Sequence, residues 1–163
     1  MSRRTAALFA WSMWATSLAL TALSLLLLAL NFSHPDVAIY PYWLENILFA
    51  VGFSTVGAVI ASRSSPKNPI GWLFCAIGLS FGADHVSAEY AIYTLQAQPE
   101  TLIGGEAAAW ILSWGWILAV GFIVFLALLF PDGRLPSRRW RWFAWLSLIL
   151  IFTGAVWEHS LLG

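Results

Sequence analysis

The sequence predicts an all-α fold: a polytopic membrane helix bundle of about five transmembrane helices. Composition, the spacing of long apolar runs and the placement of basic residues carry that expectation. Of 163 residues, 60% are hydrophobic and 10% charged, a balance that leaves a soluble domain of this size too little polar surface. Eleven Trp and eleven Phe suit membrane–water interfaces, where a ring is buried while its polar edge stays wet. The apolar runs approach or exceed the ~20 residues that cross a ~30 Å hydrocarbon layer. Barrel strands would instead alternate polar and apolar over ~10 residues, and these runs do not.

The first span covers 6–32, with no charge between Arg4 and His34. Arg3 and Arg4 in front of it look like the start of a signal peptide, but the apolar run is too long and no small-x-small cleavage site follows. Pro35, Asp36 and Pro41 then mark a connector. The second span covers 42–61, with Glu45 near its start. SRSSPKNP (62–69) is a polar turn that launches the third span, 70–90. This span is clean only to Ala83: Asp84, His85 and Glu89 interrupt it, ~21 Å along a helix rising ~1.5 Å per residue. A connector with Pro99, Gly104 and Gly105 leads to the fourth span, 107–130. FPDGRLPSRRWR (130–141) makes a basic loop, and a fifth span covers 142–161. With no internal repeat or low-complexity linker, residues 1–163 read as a single membrane domain.

Short cytoplasmic loops retain Lys and Arg, and all eight basic residues obey one alternation. Arg3 and Arg4 precede span one, Arg63 and Lys67 lie between spans two and three, and Arg134, Arg138, Arg139 and Arg141 lie between spans four and five. The N-terminus is therefore expected in the cytoplasm and, with five crossings, the C-terminus outside. The fifth crossing is the weakest element, since a re-entrant segment there would return the chain to the cytoplasm. Trp72, Trp140 and Trp142 fall at the inner interface and Trp43, Trp110 and Trp157 at the outer one.

The acids gather toward the other side. Asp84, His85 and Glu89, with Glu45 and Glu106 at neighbouring outer helix ends, form a candidate outer sensing cluster. His85 and Glu89 are four apart on one helical face, a spacing open to a proton-sensitive pair or two metal ligands. Ionisable groups inside a membrane point to function by default. The competing and favoured reading places all of them at the headgroup level as a hydrated helix end. Gly78 and Gly82 form a small-residue stripe on span three, and Ala50, Ser54 and Ala58 form another on span two. Such stripes let backbones approach closely, which makes spans two and three the expected tightest pair.

The basic loop residues Arg134, Arg138, Arg139 and Arg141, interleaved with Trp, fit an anionic inner leaflet at ~1 kcal/mol per cation, and no nucleic-acid partner is needed. The sequence holds no phosphate-binding glycine loop, metal-protease motif or nucleophile elbow. Cys75 stands alone in an apolar run. No enzyme activity, cofactor or metal site is expected.

VGAVIASR (56–63), NPIGWLFCAIGL (68–79), EYAIYTL (89–95), AAWILSW (108–114) and above all LLFPDGRLPSRRWR (128–141) resemble, in order, the N-terminal multi-spanning sensor region of actinobacterial-type sensor histidine kinases. The resemblance implies a bacterial inner-membrane location, a role in signal transduction, and a separate kinase or other membrane protein as partner. The phosphoacceptor and ATP-binding domains of that family have no counterpart here, so it implies a stand-alone or truncated sensor region and carries over no catalytic residue. The expected function is non-catalytic signal sensing or partner regulation. The alternatives are a transporter or channel accessory subunit, or a truncated kinase fragment without independent function.

Overall fold

The computed structural model describes residues 2–37, 39–64, 68–99, 102–130 and 133 of the chain. Among them are four helices long and apolar enough to cross a membrane, and no strand. These are α1 (Arg3–Asn31), α2 (Trp43–Arg63), α3 (Ile70–Ile92), which continues through a π-helical turn at Tyr93–Ala97, and α4 (Gly105–Leu129). The expected fifth span, 142–161, lies outside the described residues, as do Lys67, Arg134, Arg138, Arg139 and Arg141.

Local chemistry sets the helix ends. The Ser2 hydroxyl accepts from the Thr5 amide at 3.2 Å and caps α1. Asn68 Oδ1 accepts from the Ile70 amide at 3.0 Å, just ahead of α3. Gly104 precedes α4 as its cap residue, with a φ of 96° that glycine adopts without strain. α3 outlasts its expected end at residue 90, reaching Ala97 through the π turn. Its ionisable residues are sheltered by packing, and the next helix breaker in the sequence is Pro99.

The helices run up and down through short connectors, which brings the exposed Arg3, Arg4 and Arg63 to one end. α3 is the centre: it packs on α1, α2 and α4, while α4 makes no close backbone approach to α1 or α2. The faces are reversed relative to a soluble bundle. Leu25, Leu26, Leu48, Trp116, Leu118 and Val120 are exposed, whereas Ser17, Thr21, Ser24, Asn31, Asn46 and Ser54 are buried. In water this would expose a large apolar patch and hide polar groups. In lipid it is the stable arrangement.

The α2–α3 seam is made of small residues. A Cβ on Gly71 would stand 2.5 Å from the Ala61 amide nitrogen, and one on Gly78 2.6 Å from that of Ser54. One on Gly57 would strike the Cys75 backbone. Ala50, Ser54 and Ala58 are all buried along this seam. Gly82, one turn beyond Gly78, faces Ser17 and Leu20 of α1 instead. The glycine pair thus serves two neighbours. The Ser17 hydroxyl lies 3.2 Å from both the Ala50 and the Gly78 carbonyls, pinning α1 where α2 and α3 meet. Trp14 Nε1 adds a bond to Thr55 Oγ1 at 2.9 Å between α1 and α2.

Candidate functional site: a buried polar cluster

Toward the end of the bundle opposite Arg3 and Arg63, polar side chains from α1, α2, α3 and the α1–α2 connector converge. His85 is 1% exposed, Glu89 0% and Asp84 6%. This corrects the expectation of a hydrated helix end: within the protein, the three face neighbouring elements rather than solvent. Glu45 and Glu106 do not join them. Both are exposed in the first turns of α2 and α4, where a carboxylate is favoured by the helix N-terminus. Glu45→Gln and Glu106→Gln are accordingly expected to change unfolding free energy by no more than ~0.5 kcal/mol, measured by denaturation of the purified protein in detergent.

The partners of the buried trio come from residues that sequence reasoning passed over. Asn31, the last residue of α1, donates through Nδ2 to Glu89 Oε2 at 2.7 Å and to the Glu89 carbonyl at 3.1 Å. Ser24, two turns earlier, meets His85 Nδ1 at 3.0 Å. Asn46 of α2 donates to Asp84 Oδ2 at 3.4 Å. The signal in α1 was present as spacing: Ser17, Thr21, Ser24 and Asn31 recur at intervals of four, three and seven, which places them on one helical face. All four are buried.

Tyr40, from the connector, closes the cluster. Its ring stacks on His85 with centroids 6.1 Å apart and planes at 28°. Its hydroxyl is near enough to Asn46 and Asp84 for both to act on it. Burial first, and then the Asp84 carboxylate, push that hydroxyl up to about 12, so Tyr40 remains a neutral phenol at physiological pH. On the far side of Asp84, α4 presents bare backbone: a Cβ on Gly115 would stand 3.0 Å from Asp84 Oδ1.

The arrangement leaves buried atoms without hydrogen-bond partners: Asn31 Oδ1, Asp84 Oδ1, His85 Nε2 and Glu89 Oε1. His85 Nε2 faces Glu89 Oε1 at 3.5 Å, an approach permitted by their four-residue spacing but too long for a good hydrogen bond. No Lys or Arg takes part in an ion pair with these acids among the described residues. Nor do three or more His, Cys, Asp or Glu residues there gather as metal ligands. Chemically, the site can accept hydrogen bonds and hold or release protons. No protein-family model, curated protein or solved structure matches the chain.

Proposed function

We propose that this protein is a non-catalytic signal-sensing module of a bacterial inner membrane, with its N-terminus in the cytoplasm. In this reading it receives its signal at the buried polar cluster and passes it to a partner, such as a separate kinase or other membrane protein. The observation that carries the reading is the cluster itself: ionisable and amide side chains from three helices are buried together beside the half-buried Tyr40 of the connector, and they are incompletely paired. Such groups are costly in a membrane interior and are retained where they act. The ordered sequence resemblance to the membrane region of sensor histidine kinases supports the role, and the basic alternation supports the orientation. The basic end would face an anionic leaflet and the partner, while the connector carrying Tyr40 would face the outer solution.

A transporter or channel accessory subunit is the rival reading, and reconstitution separates the two. Proteoliposomes holding the full chain are expected to retain imposed proton and sodium gradients as long as empty vesicles do. A fluorophore pair placed at Asp36 and Arg63 should change its energy transfer when the outer solution is acidified or its cations are exchanged. Gradient collapse beyond that of empty vesicles would favour transport. A pair that ignores every change in outer pH and cations would remove the sensing role.

A further inference from the structure

The geometry points to a proton held on the line between His85 Nε2 and Glu89 Oε1, binding that secures α1 against α3. It deepens the proposed reading by naming the ligand of the receiving cluster, and it depends on that reading only for its signalling consequence.

A serine hydroxyl has one hydrogen, and that of Ser24 is directed to the Thr21 carbonyl at 2.8 Å. With that hydrogen committed, Ser24 Oγ is placed to accept from His85 Nδ1, 3.0 Å away, which favours the Nδ1–H tautomer. This assigns the tautomer from the hydrogen-bond network. Nε2 is left either with a bare lone pair or with a second proton. Facing it at 3.5 Å is Glu89 Oε1, whose sister oxygen already accepts from Asn31.

Without a proton between them, a lone pair and a carboxylate oxygen would oppose each other at a site where both residues are essentially unexposed. Burying such groups unpaired is strongly unfavourable. A single proton resolves both orphan atoms, as Glu–OH donating to Nε2 or as imidazolium donating to the carboxylate. In either form the pair has no net charge. The proton belongs to the pair rather than to one member.

Among the described residues the surroundings supply no Lys or Arg to pair with Glu89. From α1 the pair is faced by Ser24 and Asn31, and from the connector by Tyr40. On α3 itself Asp84 is adjacent and engages Asn46 of α2; from α4 the cluster meets Gly115. Tyr40 and Asp84 are the titratable groups among these. A divalent metal would need more than these two ligands, and no group of three or more His, Cys, Asp or Glu is arranged to hold one among the described residues.

The two residues of α3 that share the proton are those bound to Ser24 and Asn31 of α1. Losing it sets the two orphan atoms against each other inside that contact, so proton release loosens the α1–α3 packing.

Histidine-selective ¹⁵N NMR of the full-length protein in nanodiscs, with His34→Gln and His159→Gln to isolate His85, tests this. The expected spectrum near neutral pH shows Nδ1 protonated and a proton shared between Nε2 and the Glu89 carboxyl. Both the shared proton and its pH dependence should disappear in Glu89→Gln. Ser24→Ala, which removes the acceptor facing Nδ1 together with the bond to the Thr21 carbonyl, provides a second readout if that variant folds poorly: the Nε2–H tautomer should become populated. Three results would overturn the proposal. They are an unprotonated Nδ1 in the wild type, a His85 signal unaltered by Glu89→Gln, and stoichiometric Zn²⁺ binding that depends on both residues. Failure here would leave the proteoliposome comparison intact, and failure there would leave this proton site intact.

Discussion

Leucine at position 78 is expected to prevent α2 and α3 from packing and to leave little folded protein in the membrane. A Cβ at Gly78 would lie 2.6 Å from the Ser54 nitrogen, 2.7 Å from Ser54 Cβ and 2.8 Å from the Ala50 carbonyl oxygen. Two of these contacts are backbone, so no rotamer change relieves them. Overpacking typically costs ~1–3 kcal/mol and sometimes more. Gly78 lies at the upper end because displacing α2 also breaks the Ser17 clamp that ties α1 to the Ala50 and Gly78 carbonyls. Gly78→Ala should unfold at a distinctly lower temperature, read by circular dichroism in detergent. The control is Gly52→Ala. A Cβ there meets nothing within 4 Å, and alanine favours helix by ~1 kcal/mol. Equal tolerance of alanine at 52 and 78 would contradict the seam.

Removing the Asn31 amide is expected to have the next largest effect. Asn31→Ala strips Glu89 Oε2 of a 2.7 Å donor and the Glu89 carbonyl of a 3.1 Å one, all within a buried site. Leaving a buried acceptor unsatisfied costs ~1–3 kcal/mol. The same loss should weaken the docking of the α1 end, because Asn31 is the final residue of that helix. A double-mutant cycle with Glu89→Ala isolates the pair. Residues in direct contact show coupling of ~0.5–3 kcal/mol, and a value in that range is expected from chemical denaturation of the two single variants and the double. Strict additivity would show that the two residues do not act together.

Hydropathy makes the described spans legible because burial in lipid needs only length and apolarity, and both are written in the chain. The start of α2 at Trp43 and of α3 at Ile70 fall within a residue of expectation, helped by Pro41 and Pro69. The close α2–α3 pair was legible too, since small residues at four-residue intervals have few other uses there. Which glycine serves which neighbour was not. A four-residue step turns ~40° beyond one full turn, and on a helix enclosed by three others that is enough to redirect Gly82 from α2 to α1.

The candidate site was half legible. Asp84, His85 and Glu89 stand out as charges in an apolar run, but a hydropathy profile treats a charge as hydrated and cannot show that neighbouring helices cover it. Asn31 and Asn46 sit at helix ends, where amides are ordinary, and Tyr40 sits in a proline-flanked connector. Only the fold brings them together. Glu45 misled through adjacency: its neighbour Asn46 turns inward while it turns out, a difference of one position on a helix and hence of ~100°.

Ser24, Asn31, Asn46, Asp84, His85 and Glu89 are sealed inside the bundle. Labelling single cysteines in intact membranes with an impermeant maleimide, in a Cys75→Ala background, tests this burial most directly. Asp36→Cys and Glu106→Cys, at exposed positions, should label readily. Ser24→Cys, at a position 0% exposed, should stay unlabelled until the protein is denatured. Labelling of Ser24→Cys in the intact bilayer at the rate of Glu106→Cys would show the cluster open to water and contradict the account.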